Sequence, residues 1–157
     1  MTKAGTHDIS VSKVFDAPRE LLYRAFADPD QFCQWFGPQG FSVPCETVQI
    51  DARAGGFQRF TIVNDDDPSR RSTVDATFTE VTEDELLDGH HDITGALFTG
   101  ATGHARLRLR LEFHDEPGGK TRLDLRQGPF TEEQAGSITA GWESSFSKLD
   151  ALLRRSL

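Results

Sequence analysis

His90-His91-Asp92 is the one His/Asp cluster in the chain. Alternate side chains of an extended segment point to opposite faces, so His90 and Asp92 share a face and His91 points away. Two converging ligands fall short of the three or four a zinc site needs, and neither a cysteine nor a second His pair is placed to complete one. No metal and no cofactor is therefore expected. The catalytic alternative is a general acid or base, with His90 or Asp92 facing a cavity. Arg59 poses a second question, because it shares a face with Phe57 and alternates with Phe60. If Phe57 points inward so does Arg59, and a buried guanidinium needs a carboxylate or an anionic ligand. If Phe60 and Ile62 point inward, Arg59 lies on the surface. Gln127 ends a segment whose Leu123 and Leu125 share its parity, and it would offer an amide to a ligand.

Other chemistry is excluded by pattern. The chain has no G-x-S-x-G elbow, no P-loop and no G-x-G-x-x-G fingerprint. Gly95, Gly100 and Gly103 lack the Lys that phosphate binding in a P-loop requires. Asp65-Asp66-Asp67 lacks the glycine and final Glu of a calcium loop. Cys33 and Cys45 lack C-x-x-C spacing and are expected to be small buried hydrophobes rather than reactive thiols. The balance of these absences leans away from an enzyme.

Seventeen Lys and Arg against twenty-five Asp and Glu give a net charge of -8. Nucleic acid is thus not an expected partner, because phosphate binding needs concentrated positive charge. No run reaches the roughly 18 apolar residues of a membrane span. Met1 to Ser10 is polar, without the apolar stretch of a signal peptide, so a cytoplasmic protein is expected. At 157 residues the chain suits one domain, 1–157. Twelve Phe and two Trp stand beside a single Tyr and a single Met, an aromatic excess common in the walls of apolar pockets.

These residues must be positioned by recognisable elements. His7 to Phe15 alternates as a strand. Asp16-Ala17-Pro18 then predicts a helix with an Asp cap and Pro18 in its first turn, followed by a second short helix after Asp28-Pro29. Gly37 to Gly40 is a turn. Five strand-like segments with turns between them follow the first piece, Val43 to Asp51: Phe57 to Val63, Arg71 to Val81, Leu86 to Ile93, His104 to His114 and Thr121 to Gln127. In Arg71 to Val81, Val74, Ala76, Phe78 and Glu80 alternate on one side. The cleanest alternation is His104 to His114, with Ala105, Leu107, Leu109, Leu111 and Phe113 on one face and Arg106, Arg108, Arg110 and Glu112 on the other. Thr131 opens a helix of some twenty residues whose stripe is Ile138, Trp142, Phe146, Leu149 and Leu153.

The expected fold is α+β: a curved antiparallel sheet of about six to seven strands wrapped around a long C-terminal helix, with two short helices after the first strand. One helix cannot fill such a sheet, and the small residues Ala135, Gly141 and Ser145 on its stripe widen the gap. A small-molecule pocket follows. Its expected lining is Trp35 and Phe36 at the mouth, Phe57, Arg59, Phe78, His90 and Asp92 from the strands, Leu109, Leu125 and Gln127 further along, and Trp142 and Phe146 from the helix.

Phe15-Asp16-Ala17-Pro18, Asp28-Pro29, Trp35-Phe36-Gly37-Pro38, Asp51-Ala52-Arg53-Ala54-Gly55-Gly56 and Gly141-Trp142 stand in a familiar order. From about residue 8 to 154 the chain resembles the family related to the C-terminal domain of the activator of heat-shock protein 90 ATPase. That family belongs to the START-like, birch-pollen-allergen-like superfamily with the helix-grip fold. The aromatic interior, the small residues on the helix stripe and the absence of a catalytic motif favour a domain that holds a small hydrophobic or amphipathic ligand without catalysis. The resemblance implies two alternatives: a chaperone-associated regulator, and an enzyme like the polyketide cyclases and hydratases. A homodimer through an exposed strand edge is a further expectation.

Overall fold

A computed structural model describes residues 5–99 and 102–156. The first four residues of the polar N-terminal stretch, and Gly100 of the glycine series, lie outside the described residues. The chain runs β1 (His7–Phe15), α1 (Arg19–Ala27), α2 (Pro29–Trp35), β2 (Phe41–Ser42), a 3-10 turn (Cys45–Thr47), β3 (Gln49–Ile50) and β4 (Phe57–Asn64). It continues through β5 (Arg71–Thr82), β6 (Leu86–Gly95), β7 (His104–Glu116), β8 (Lys120–Phe130) and α3 (Glu132–Ser156). The sheet order is β1-β8-β7-β6-β5-β4-β2, with β3 also on β4. Every pairing is antiparallel. Among the described residues six long strands thus form the sheet, and the two-residue β2 and β3 trim one edge. This is the helix-grip fold expected from the sequence.

The helix ends depart from expectation in one case and add a device in another. Asp16 does not cap α1. Pro18 occupies the cap position in extended conformation, without a side-chain cap bond. Its carbonyl accepts from Leu21 N and Leu22 N at 3.1 and 3.2 Å, so the helix begins after the proline rather than on it. Asp28 does cap α2, accepting from Asp30 N at 2.9 Å, with Pro29 in the first turn. At α3, Thr131 Oγ1 accepts from Gln134 N at 3.2 Å while Gln134 Oε1 accepts from Thr131 N at 3.0 Å. That reciprocal pair is a capping box.

Val43 to Asp51 is not one strand. The Thr47 hydroxyl and backbone N–H both donate to the Pro44 carbonyl, at 2.7 and 3.0 Å, and curl this stretch into a 3-10 turn. The same hydroxyl accepts from Thr61 N at 3.1 Å, which fastens the turn to β4. Cys33 and Cys45 are joined by a disulfide, correcting the expectation of two unpaired thiols. The packing of α2 beside the turn sets their Cα atoms 5.1 Å apart, inside the span a disulfide bridges.

Gly55-Gly56 is a structural requirement of the β3–β4 turn. Gly55 has φ +82°, and a Cβ on Gly56 would overlap the Asp51 carbonyl oxygen. On β5 the pairing slips between Phe78 and Glu80, leaving Thr79 as an extra residue. Beyond that bulge Val81 packs against the core and Glu80 is exposed, so Glu80 does not continue the inward row.

The concave face of the sheet meets α1, α2 and α3 in one aromatic core. Phe15 meets Phe146 edge-on at 5.7 Å, and Phe26 meets Trp35 at 4.8 Å. The Trp35 indole donates to the Ala25 carbonyl at 2.9 Å, which satisfies its polar atom in full burial. Trp142, Phe146, Leu149 and Leu153 form the buried stripe of α3, as its spacing predicts, and Leu152 joins them.

Candidate functional site

Strand pairing decides which side chains look inward. Leu107, Leu109, Leu111 and Phe113 of β7 are buried. Register then carries their parity across the sheet, so that Gln58, Ala76, His91 and Leu107 form one inward row over four strands. The next row runs Phe78, Gly89, Leu109, Gln127. Between this face and α3 lies a cavity of about 100 Å³, and a second of about 30 Å³ adjoins it. Phe36, Phe60, His91 and Trp142 line both and form their common wall.

The expected pocket residues divide three ways. Phe36, Gln127 and Trp142 line the larger cavity, and Phe36, Phe78, Leu109 and Trp142 line the smaller. Trp35, Leu125 and Phe146 are buried in the core and face neither cavity. Phe57, Arg59, His90 and Asp92 are on the outer face, a correction to the expected lining. Arg59 is exposed, pairs with Asp75 at 3.3 Å and stacks its guanidinium over the Phe57 ring at 4.6 Å. Asp92 faces Arg106 at 3.4 Å. The reason is parity: Phe60 and Ile62 take the inward positions of β4, and His91 takes that of β6.

His91, expected to point away from the cavity, faces it instead. Its relative exposure is 9 %, and neither ring nitrogen has a hydrogen-bond partner among the described residues. Burial, with the neighbouring charge of His90 and against that of Asp92, lowers its pKa to about 4. The ring is therefore neutral at pH 7 and carries one donor and one acceptor. The signal was present in the alternation of Leu87, Gly89, His91 and Ile93, which the continuous burial of Leu86 to Gly89 obscures. Gln58 is absent from the expected lining, and Ser145 is expected there only as a small residue that widens the gap. Gln58 lines the smaller cavity and Ser145, on α3, the larger.

Gln127 is tied to α3, since its Oε1 accepts from Trp142 Nε1 at 2.8 Å. The turn after α2 closes one side of the mouth with Gly37 and Pro38. It is held to α3 at two points. Lys148 Nζ donates to the carbonyls of Gly37 and Phe41 at 2.9 and 3.3 Å, and Gln39 N donates to Ser144 Oγ at 2.9 Å. Burial lowers the pKa of Lys148, opposed by the charge of Asp65. Phe98, in the β6–β7 loop, lies over the other side. It has φ +63°, is 39 % exposed and meets Phe41 at 5.4 Å.

Glu112, His114 and Asp124 bring one ligand atom each within 4.8 Å of one another on the outer face. Their charges are already met: Arg110 contacts Glu112 at 3.3 Å, and Arg122 contacts Asp124 at 3.2 Å. His114 stands 3.4 Å from Asp124, and Ser12 donates to it at 2.6 Å. This is an ion-pair network on the wet side of the sheet. Among the described residues no helix is long and apolar enough to cross a membrane.

The fold recurs in solved bacterial proteins. An AHSA1 protein from Silicibacter pomeroyi superposes with a TM-score of 0.79 at 24 % identity, covering 96 % of this chain and 100 % of that one. A protein from Chromobacterium violaceum gives 0.77 at 22 %, covering 93 % and 96 %. A solution structure from Staphylococcus epidermidis gives 0.75 at 23 %, covering 99 % and 96 %. Identities this low establish a common fold. No curated protein matches the chain. The family model described as Activator of Hsp90 ATPase homolog 1-like protein matches residues 16–154, and with sheet, helices and motifs in agreement the chain belongs to that family.

Proposed function

We propose that this protein binds a small hydrophobic or amphipathic molecule between its sheet and α3 and does not transform it. Membership of the family and its fold supports a ligand-binding or regulator-type domain. The observation that carries the ligand reading is the cavity of about 100 Å³, walled by aromatic and aliphatic side chains and entered by a few buried polar groups. That is the usual make-up of a small-molecule site. Among the described residues neither cavity is lined by a nucleophile held by a base, or by a pair of carboxylates, so the lining supports holding rather than chemistry.

Native mass spectrometry of freshly purified protein tests this reading, together with extraction of any bound small molecule and titration with hydrophobic fluorescent probes. A bound mass lost on denaturation, or a saturable site of one probe per chain, is the expected result. A clean apo mass with no saturable probe site would overturn it.

A further inference from the structure

Three buried polar side chains from three elements enter the larger cavity: His91 from β6, Gln127 from β8 and Ser145 from α3. Their relative exposures are 9, 6 and 3 %. Among the described residues His91 and Ser145 make no side-chain hydrogen bond, and Gln127 engages its carbonyl oxygen, leaving its amide N–H groups unpaired. Among the described residues Arg19 Nε alone is a buried side-chain polar atom without a hydrogen-bond partner, so the free polar atoms of these three side chains open onto the cavity, where its occupant meets them.

The rest of the lining sets the nature of that occupant. Among the described residues no Lys, Arg, Asp or Glu lines either cavity. A carboxylate, phosphate or ammonium would lose its hydration without gaining a counter-charge, which is strongly unfavourable. The remaining walls are apolar, including Ile93, Leu107, Ile138 and the rings of Phe36, Phe60 and Trp142. The larger cavity, about 100 Å³ and open at its mouth, is of the order of the roughly 150 Å³ that admits a benzene ring. A hydroxyl both donates and accepts, and so satisfies a neutral imidazole, a serine hydroxyl and an amide N–H at once.

We propose that the occupant is an uncharged molecule with a single ring or short apolar body and one hydroxyl or carbonyl, and that His91, Ser145 and Gln127 read that polar group. The proposal rests on the cavity being a binding site, and it adds the class of molecule and the residues that select it. Ring and polar group divide the work: the aromatic wall supplies affinity, and the three polar side chains supply orientation and preference.

The test is titration of the full chain at pH 7 with toluene, phenol and benzoate. Affinities come from calorimetry, and the imidazole ¹⁵N signals report on His91. Phenol is expected to saturate, to shift the His91 ring signals and to bind at least about tenfold more tightly than toluene, with benzoate weakest. His91→Leu and Ser145→Ala are each expected to narrow the preference for phenol over toluene towards one, with circular dichroism showing that the variants fold. Toluene and phenol binding alike, with no dependence on His91, would overturn this assignment and leave the cavity reading standing. Benzoate binding as tightly as phenol would overturn the uncharged class. Absence of binding by all three would overturn the assignment together with the cavity reading for ligands of this size.

Discussion

The indole Nε1 of Trp142 donates to Oε1 of Gln127 at 2.8 Å, one side chain on α3 and the other on β8. Both are buried beside the cavity, so this bond spans the gap that the helix leaves above the sheet. Gln127→Leu would strand the indole N–H in an apolar setting. Unfolding by urea is expected to show a loss of about 1–3 kcal/mol. An unchanged midpoint would mean that the indole finds another acceptor.

His91 makes stability depend on pH. Its folded-state pKa of about 4 lies below the ordinary 6.5, because burial disfavours the charged ring. As pH falls below about 6.5 the unfolded chain takes up a proton that the folded chain refuses, so stability declines until about pH 4 and then levels. The full decline from this residue is about 3 kcal/mol. Urea unfolding of wild type and His91→Leu between pH 7 and 5 should show a shallower slope in the variant. Parallel slopes would contradict the neutral, buried ring.

Asp88 is buried although it points to the outer face, with a side-chain exposure of 1 %. Burial alone would raise its pKa, but the guanidiniums of Arg108 and Arg110, at 2.7 and 2.8 Å, hold it below the usual value. The carboxylate contributes stability above its ordinary pKa near 4, and that contribution is lost as pH falls through the lowered value. Asp88→Asn is expected to cost about 1–2 kcal/mol at pH 7, moderated by the solvent exposure of both arginines. The deficit should shrink in acid, as denaturant curves at pH 7 and pH 3 would reveal.

Phe98 holds a positive φ at the cavity mouth and is partly exposed. Phe98→Ala removes a ring that covers the opening and little of the core. Stability is expected to change by less than about 1 kcal/mol. Exchange of a bound ring probe should quicken several-fold in NMR line shapes. A large loss of stability would mark Phe98 as a core residue instead.

Elements with a strong period were legible from the chain alone. Leucine on every second residue of β7 and apolar residues at helical spacing on α3 can bury themselves in one way only. The family motifs likewise follow from local needs, such as the glycine pair between β3 and β4. The stretch around Pro44 was less legible, because the curl there depends on Thr47 reaching back to a carbonyl and forward to β4.

What the sequence by itself determined is the class of fold: an antiparallel sheet, a long amphipathic helix and an aromatic interior. Tertiary structure decided which histidine enters the cavity. The run His90-His91-Asp92 supports either parity, and a one-residue change of face exchanges the inner and outer sets completely. Register with Ala76 on one side and Leu107 on the other selects His91, and the same pairing through Val74 and Ala76 turns Arg59 outward. The disulfide between Cys33 and Cys45 has the same origin, since only the packing of α2 beside the 3-10 turn brings those two residues together. Periodicity is a property of one segment, whereas a pocket is made by several, and their alignment is set by hydrogen bonds between strands.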